Sequence, residues 1–265
     1  MRNRWIVLAA FAACTSSPLA AQRTADQSRL SLGIAAGTTV GRSLWTVSGQ
    51  PITDGAFIAD TMELSRRIRG SLAVVFHGTY FPGEHVGFTG EAMLLGLGFE
   101  DDCRLTFASG SLRNSQVCTS IRSNSSPASA VSLSVGMMYR VWSRQVLSPY
   151  ARIHGGLVVS QHSSVLTNGF FQTFGEDTKV TVFADPSNRE VTPVLGLGFG
   201  FTAGLGHGYQ LRWEARDNIT GVQRVTGTTS GAPNLEPPHK ISYQHIFSVT
   251  FGFDVVLERR RGRRY

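Results

Sequence analysis

Charged side chains recur at two-residue spacing inside apolar stretches of this 265-residue chain. In the clearest case, residues 212–216, Arg and Glu alternate with Trp and Ala. Residues two apart share one face of a β-strand, where opposite charges form ion pairs or line a polar path. Because a lone buried charge is costly, we expect the members of this set to pair with one another. The set is Glu91, Arg140, Arg152, His154, Arg212, Glu214, Arg216 and Asp254.

Patterns for metal, cofactor or phosphate chemistry are not recognisable in the sequence. The seven histidines are scattered and lack the spacing of metal ligands. Gly196, Gly198 and Gly200 stand at every second position, which is typical of strand packing and unlike a phosphate-binding loop. We therefore expect no metal site and no cofactor.

The element that must position the charges is a β-strand, and the last one is the clearest. From Ile241 to Glu258 the odd positions are apolar or aromatic with one exception, His245, and the even positions are mostly small or polar. A period of two predicts a strand. It spans eighteen residues, whereas a typical globular strand has about five or six and a bilayer crossing takes about 9–11.

The same alternation occurs in seven earlier segments, and the connections between segments are alternately long and short. The alternation slips at Leu94-Leu95, which we interpret as a β-bulge. Tight turns are predicted at residues 81–84 and 206–208, and loops at the polar or Gly- and Pro-bearing residues 41–60, 100–128, 165–190 and 226–240. The predicted strands cover residues 30–37, 71–80, 86–99, 131–141, 151–160, 193–202, 211–219 and 241–258.

An even strand number with short connections at one end and long ones at the other is typical of bacterial outer-membrane barrels. The sequence therefore predicts an all-β fold over residues 22–258: an eight-stranded antiparallel up-and-down transmembrane β-barrel with short periplasmic turns and long external loops. A secreted lipocalin, with its apolar face inside, is the alternative. The barrel is favoured because the polar face is mostly Gly, Ser and Thr, and Lys179 and Lys240 are the chain's two lysines.

The N-terminus predicts export from the cytoplasm. Arg2 and Arg4 precede a short apolar run, and small residues up to Ala21 offer a cleavage site, so residues 1–21 are interpreted as a signal peptide. The alternative is a lipoprotein signal ending at Cys14, although Phe11 stands where lipoboxes prefer leucine. Residues 259–265 form a basic tail, expected to be solvated or to contact lipid headgroups or another anion, with no role in binding nucleic acid.

The signal sequence, the eight alternating strands and the aromatic last strand resemble small outer-membrane barrels of the OmpA and OmpW types. This resemblance implies an integral protein of a Gram-negative outer membrane. Its expected partners are outer-membrane lipid, lipopolysaccharide and the barrel assembly machinery, and we expect a monomer. Members commonly end at an aromatic residue of the last strand, whereas an arginine-rich tail follows here. The machinery would then have to recognise Phe247, Phe251 or Phe253 internally.

Cys103 and Cys118 lie in the second long connection, on the oxidising side of the membrane in this topology. If Cys14 leaves with the signal peptide, they are the two remaining cysteines of the chain's three. We therefore predict a disulfide between them. Closing a loop of this size is worth roughly 3 kcal/mol by chain-entropy reasoning.

The predicted function is structural or based on surface interaction, with the external loops contacting a ligand and the charged set filling the lumen. One alternative is a narrow OmpW-like channel for small solutes, and another is a lipid-modifying enzyme. His162, Ser164 and Glu176 loosely resemble the His/Ser/acid set of outer-membrane lipid A deacylases. His162 and Ser164 share parity with Arg152 and His154, so we expect them to face the lumen rather than lipid, and we predict no enzymatic activity.

Overall fold

The computed structural model describes residues 29–53, 59–96, 98–123, 125–127, 129–142, 145–160, 163–185, 190–230 and 234–258. The predicted signal peptide with Cys14, the basic tail at residues 259–265, and His162 lie outside the described residues. Within them, no helix has the length and hydropathy needed to cross a membrane.

Fourteen strands and one helix follow one another along the described parts of the chain. In chain order they are β1 (Arg29–Thr39), β2 (Arg42–Thr53), β3 (Ala59–Arg69), β4 (Ser71–Phe81), β5 (Val86–Leu95), β6 (Gly98–Phe107), α1 (Leu112–Ser123), β7 (Ser125–Pro127), β8 (Ala130–Arg140), β9 (Leu147–Ser160), β10 (Thr167–Thr173), β11 (Glu176–Phe183), β12 (Glu190–Gly206), β13 (Tyr209–Val225) and β14 (His239–Glu258).

Eight of these strands close into an antiparallel up-and-down barrel in the order β1, β4, β5, β8, β9, β12, β13 and β14. Closure is complete because β1 pairs with both β4 and β14 along its whole length. These are the eight strands that the alternation predicted, so the predicted fold class is confirmed. The apolar face that alternates with the charged set forms the outer wall, with residues such as Leu197 and Phe251 half exposed. This is the reverse of a lipocalin.

The short connections all lie at one end of the barrel, here called the turn end. The tightest is the predicted hairpin between β12 and β13, where Gly206, His207 and Gly208 have φ values of 88°, 55° and 83°. Left-handed conformations at His207 and Gly208 match the twist of a two-residue hairpin. The opposite end, the loop end, carries the four long connections.

Three of the four predicted loops are folded, and together they form a domain here called the cap. β2, β3, β6 and β7 make a four-stranded sheet, α1 lies between β6 and β7 in sequence, and β10 and β11 form a hairpin. The prediction of loops at residues 41–60, 100–128 and 165–190 was therefore wrong for most of their described residues. The connection at residues 226–240 is irregular through most of its described part, as expected.

The slip at Leu94-Leu95 marks a change of sheet rather than a bulge. β5 leaves the barrel at Leu95, and Phe99 belongs to β6, whose partner is the cap strand β3. The prediction that the third barrel strand continues to Phe99 was wrong, because the alternation resumes in a different sheet.

A single buried apolar core runs from the loop half of the barrel into the cap. Ala35, Val75 and Met93 come from barrel strands, and they join Trp45 and Leu64 of the cap sheet in one cluster. Buried apolar side chains thus lie in the loop half of the lumen, and the charged set lies in the turn half and the middle.

Candidate functional site

All eight charged residues singled out from the sequence face the barrel interior and are at most 9% exposed. Four of them form one cluster at mid-height, here called the quartet: Glu91, Arg152, Glu214 and Arg216. Arg152 Nη2 lies 2.6 Å from Glu91 Oε2, and Arg216 Nε lies 2.7 Å from Glu214 Oε1. Arg216 also pairs with Glu91, and Arg152 Nε lies 3.7 Å from Glu214 Oε1. Each carboxylate thus contacts both arginines.

The quartet ties opposite walls of the barrel together. Glu91 is on β5 and Arg216 is on β13, four strands away in an eight-stranded closed order, so their ion pair crosses the lumen. Tyr150, on β9, donates its hydroxyl hydrogen bond to Glu214 Oε2 at 2.7 Å. A continuous set of charged contacts therefore spans the lumen from β5 through β9 to β13.

A second cluster surrounds Asp254 nearer the turn end. Its carboxylate accepts a hydrogen bond from Ser31 Oγ at 3.3 Å, and His77 Nε2 lies 2.9 Å from Oδ1. Arg212 Nε lies 3.6 Å from Oδ2. Gly33 makes room for this arrangement, because a Cβ there would lie 2.2 Å from Asp254 Oδ1.

Arg140 and His154 belong to the predicted charged set but do not join the other six. The Arg140 guanidinium lies 3.7 Å from the centre of the Phe81 ring, a cation–π contact at the turn end. His154 Nε2 lies 3.0 Å from the Asn218 side-chain oxygen and has that amide, rather than a carboxylate, as its hydrogen-bond partner. The expected pairing of charges with one another therefore describes six of the eight residues.

The sequence reasoning missed His77, Tyr150 and Asn218 as members of the lumen network. Two of them have the parity of a residue that was chosen: Tyr150 alternates in step with Arg152, and Asn218 with Arg216. His77 lies on β4, which carries no member of the charged set, and it has the same parity as Val75, another lumen residue. Extending the charged set to every polar residue of matching parity would have found Tyr150 and Asn218 but not His77.

The cap contains a separate buried ion pair, here called the cap joint. Arg66 on β3 makes two hydrogen bonds to the Asp101 carboxylate on β6, at 2.5 and 2.7 Å. Its Nη2 also donates to the Leu166 carbonyl, at 2.8 Å, and to Thr167 Oγ1, at 3.2 Å. The guanidinium carbon lies 5.4 Å from the centre of the Trp45 ring. Arg66 therefore joins the cap sheet to the β10–β11 hairpin.

The predicted disulfide is present between Cys103 and Cys118, whose Cα atoms are 5.3 Å apart. It connects β6 of the cap sheet to the middle of α1. The sulfur atoms are buried, and Val117 and Ile121 on the same helix are buried in the common core. The disulfide thus fixes the helix on the cap.

The three residues considered for hydrolytic chemistry do not form a catalytic set in the described residues. Ser164 is buried, and its hydroxyl donates a hydrogen bond to the Gln223 carbonyl at 2.9 Å. It lies beyond the end of β9, so the strand parity from which its lumen orientation was expected does not apply to it. Glu176 begins β11 and is exposed. No three His, Cys, Asp or Glu side chains in the described part of the chain cluster as metal ligands would.

An eight-stranded closed barrel with a charged interior and a folded cap is thus the class of structure that this chain adopts. No family model matches the chain, and no curated protein matches it. Among solved structures, it is similar to the outer membrane protein OprG from Pseudomonas aeruginosa, with 12% identity, TM-score 0.46, and 89% of this chain and 97% of that one covered.

Two further solved structures are similar at the same level. The outer membrane protein AlkL, determined in lipid bilayers, has 12% identity and TM-score 0.43, with 93% of this chain and 98% of that one covered. Neisserial surface protein A has 10% identity and TM-score 0.42, with 86% and 96% covered. The barrel assignment itself rests on the strand pairing described above.

Proposed function

We propose that this chain is an integral outer-membrane protein whose barrel is closed to solutes and whose cap works at the cell surface. The observation that carries the proposal is the set of buried contacts that cross the lumen. The quartet crosses it at mid-height, and buried apolar side chains in its loop half belong to a core that continues into the cap. These contacts, together with a folded domain at the loop end, support a structural or surface-interaction role.

The outer wall supports a lipid environment. Leu32, Phe76, Leu133, Leu195 and Phe251 lie on five different barrel strands, and each is about half exposed. A soluble monomer rarely exposes so continuous an apolar surface. Near the turn end, aromatic rings stack in pairs on the same wall, as Phe201 does with Trp213 at 5.6 Å. Aromatic girdles of this kind mark the membrane interfaces of transmembrane barrels.

The placement of the cap supports a surface role. In outer-membrane barrels the short turns are periplasmic and the longer connections are external. This orientation puts the cap outside the cell, where the disulfide is stable because the environment is oxidising. Lipid and lipopolysaccharide would surround the wall, the barrel assembly machinery would insert the protein, and the protein would be a monomer.

The energetic cost of opening the lumen supports closure. A solute would have to separate Arg216 from Glu91, which would leave each of them with one of its two partners in the quartet. Complete loss of a partner from a buried pair costs about 3–5 kcal/mol, so a partial loss is also unfavourable. The absence of enzymatic activity stays a prediction, and the buried Ser164 agrees with it because its hydroxyl is already committed to the Gln223 carbonyl.

The test begins with membrane fractionation, followed by gels of unheated and boiled samples. We expect the protein in the outer-membrane fraction with a band that shifts on boiling, as a closed barrel gives. The purified protein is then added to planar lipid bilayers, with a general porin as the positive control. We expect no conductance steps. Steps in the wild-type recordings would establish a channel instead, and a soluble periplasmic protein would contradict the membrane assignment.

A further inference from the structure

The cap carries a cleft of about 460 Å³ between α1 and the β10–β11 hairpin. Hydroxyl and amide side chains form most of its lining, together with the rings of Phe170 and Phe171. Asp177 is the one charged residue among the described residues that line it, and the Arg113 guanidinium lies 4.0 Å from the centre of the Phe171 ring. The cleft is therefore mostly polar, with an aromatic surface on one wall, and it belongs to neither the quartet nor the cap joint.

The walls of the cleft are held together by side chains of α1 that satisfy the free edge of β10. The Phe170 backbone N–H donates to Ser120 Oγ at 2.7 Å, and the Gln172 backbone N–H donates to Gln116 Oε1 at 3.3 Å. Four residues of a helix rise about 6 Å, and two residues of a strand span about 6.7 Å. The spacing of the two helix side chains therefore matches the spacing of the two backbone N–H groups that they accept from. The helix thus lies along an otherwise open strand edge.

The helix α1 is fixed to the four-stranded sheet of the cap. Cys118 is bonded to β6, and the Asn114 side-chain amide donates to the buried Asp60 at 2.7 Å. Gly169 allows close approach of the hairpin, because a Cβ there would lie 2.6 Å from Val117 Cγ1. A binding surface that is fixed before the ligand arrives loses less entropy on binding.

Three hydroxyl residues of α1 line the cleft at four-residue spacing: Ser115, Thr119 and Ser123. This spacing puts one hydroxyl about every 6 Å along one face of the helix. In the described part of the chain, nothing hydrogen-bonds the hydroxyls of Ser115 and Thr119, and Ser123 Oγ donates only to the Ser120 carbonyl, at 3.0 Å. Since a hydroxyl has one donor and two acceptor positions, the row retains hydrogen-bonding capacity for a ligand.

The facing wall comes from the hairpin. Phe170 is 37% exposed, so part of its ring is available for contact. Gln172 and Asp177 are opposite each other in the hairpin register, and both are exposed and line the cleft. One wall thus offers a row of hydroxyls, and the other offers an aromatic ring beside an amide and a carboxylate.

We propose that this cleft binds a neutral saccharide, an assignment that rests on the proposed surface role of the cap. A sugar ring presents hydroxyls that both donate and accept, and its C–H face packs on an aromatic ring. Phe170 would stack on one ring, while Thr119 and Asp177 would hydrogen-bond its hydroxyls. An anionic ligand is disfavoured, because Asp177 lines the cleft and the Arg113 guanidinium is already stacked on the Phe171 ring. A purely apolar ligand would leave the hydroxyl row without partners.

The source of the saccharide is either the sugar portion of lipopolysaccharide or a glycan of another cell. The test is saturation-transfer NMR on the full-length protein in micelles of a detergent without a sugar headgroup. The probes are the neutral disaccharides maltose, lactose and cellobiose, and a lipid-free, dephosphorylated core oligosaccharide. Preference for the core oligosaccharide assigns the site to lipopolysaccharide, and preference for a disaccharide assigns it to foreign glycans. Either outcome supports the proposal.

The variant Phe170→Ala should weaken binding about fivefold, since stacking on an aromatic ring is worth roughly 1 kcal/mol. Thr119→Ala should weaken it by a smaller factor. Phe174→Ala and Thr178→Ala are the matched controls, because both residues are exposed on the same hairpin but do not line the cleft. They should bind like wild type.

The proposal is overturned if no probe shows saturation transfer with wild type, or if Phe170→Ala binds like Phe174→Ala. Each variant is first shown to be folded by its heat-shifted band on gels. Failure of the proposed surface role would appear separately, as conductance in bilayers or as a soluble protein, so the two hypotheses fail in different experiments.

Discussion

Two buried arginine–carboxylate sites, the quartet and the cap joint, are built in opposite ways. In the quartet, each of two carboxylates contacts both of two arginines inside the barrel. Arg152 Nη1 has no hydrogen-bond partner among the described residues. In the cap joint, one arginine meets one carboxylate with two hydrogen bonds, and two further acceptors and an aromatic ring complete its surroundings. The first site is a network and the second is a closed pair.

The difference shows what each site holds together. The quartet connects β5, β9 and β13, which already belong to one closed sheet, so its loss removes support from the whole barrel. The cap joint connects the cap sheet to a hairpin that belongs to another sheet. Breaking the cap joint should therefore loosen the cap while leaving the barrel intact. The predictions below test this contrast in order of decreasing effect.

The largest effect is expected for Glu214→Ala. The change leaves Arg216, Arg152 and the Tyr150 hydroxyl without the carboxylate that they share. Removing one partner of a buried ion pair costs about 3–5 kcal/mol. Urea unfolding of the protein refolded into lipid vesicles should show this loss for the whole barrel. The exposed residue Glu236 provides the control variant Glu236→Ala. Equal unfolding midpoints for Glu214→Ala and wild type would show that the quartet does not stabilise the barrel.

A smaller and more local effect is expected for Arg66→Ala. The change strands Asp101 in the cap core and removes the hydrogen bonds to the hairpin, so the cap should lose about 3 kcal/mol of local stability. Limited proteolysis should then cleave within residues 163–185, while the barrel keeps its heat-shifted band. Cleavage and loss of the barrel together would contradict the separation between the two sites.

The chain offers a matched control for that experiment at the adjacent position. Arg67 faces Glu100 in the same strand pair, one residue along, and its Nη2 lies 2.8 Å from that carboxylate. These side chains are 64% and 39% exposed, whereas those of Arg66 and Asp101 are 2% and 5% exposed. An exposed pair is worth about 0–1 kcal/mol, so Arg67→Ala should be cut no faster than wild type.

The same two regions explain how far the sequence could be interpreted. In the barrel, one face of each strand contacts lipid and must be apolar, so the alternation survives through long strands such as β14. In the cap, the buried face of β3 itself carries Asp60 and Arg66 beside Met62 and Leu64. Charged residues on both faces hide the alternation, and the segment therefore resembles a loop.

The helix was missed for a related physical reason. α1 buries only Asn114, Val117, Cys118 and Ile121, and its other positions are polar, so the apolar stripe is too narrow to predict a helix. What holds the helix is distant in sequence, namely the disulfide and the hydrogen bond to Asp60. The part of the apolar core that lies inside the barrel was missed because Val75 and Met93 share parity with the polar residues His77 and Glu91, so that the inner face of each strand changes character along its length.

The charged residues of the lumen were easier to predict from the sequence than the residues of the cap joint. Parity alone puts Glu91 and Arg216 inside the barrel. The cross-lumen pair between them follows from the order of the strands, since the third and seventh strands of an eight-stranded barrel lie opposite each other. The cap joint could not be found in this way, because it requires the register of β3 against β6 and the position of the hairpin.

Removing the disulfide tests whether the cap is rigid independently of the barrel. In the variant Cys103→Ser/Cys118→Ser, α1 loses its covalent link to β6, and the chain-entropy cost is about 3 kcal/mol at most. Hydrogen exchange followed by mass spectrometry should show faster exchange over residues 112–123 and unchanged exchange in β13. Detection of free thiols in wild type purified from an oxidising compartment would contradict the disulfide itself.

The smallest effect is expected from acid titration of Asp60, which contacts the start of α1. Hydrogen bonds from Ser109, whose backbone N–H lies 2.6 Å away, and from Asn114 hold the Asp60 pKa below its ordinary value of 3.8. A carboxyl whose folded-state pKa is depressed stabilises the fold above its unfolded-state pKa, and this contribution is lost as pH falls through the folded-state pKa.

Protection of the first turn of α1, corrected for intrinsic exchange rates, should therefore be constant between pH 7 and 5 and decrease below about pH 4. The variant Asp60→Asn provides the control, because an amide does not titrate: protection should be lower at neutral pH and show no further acid-dependent loss. The acid-dependent loss that Asp60→Asn removes should be confined to the cap, since the contacts of Asp60 in the described residues lie there. If barrel strands and α1 lose protection together as the pH falls, the cap and the barrel are one cooperative unit, and the contrast between the two ion-pair sites does not hold.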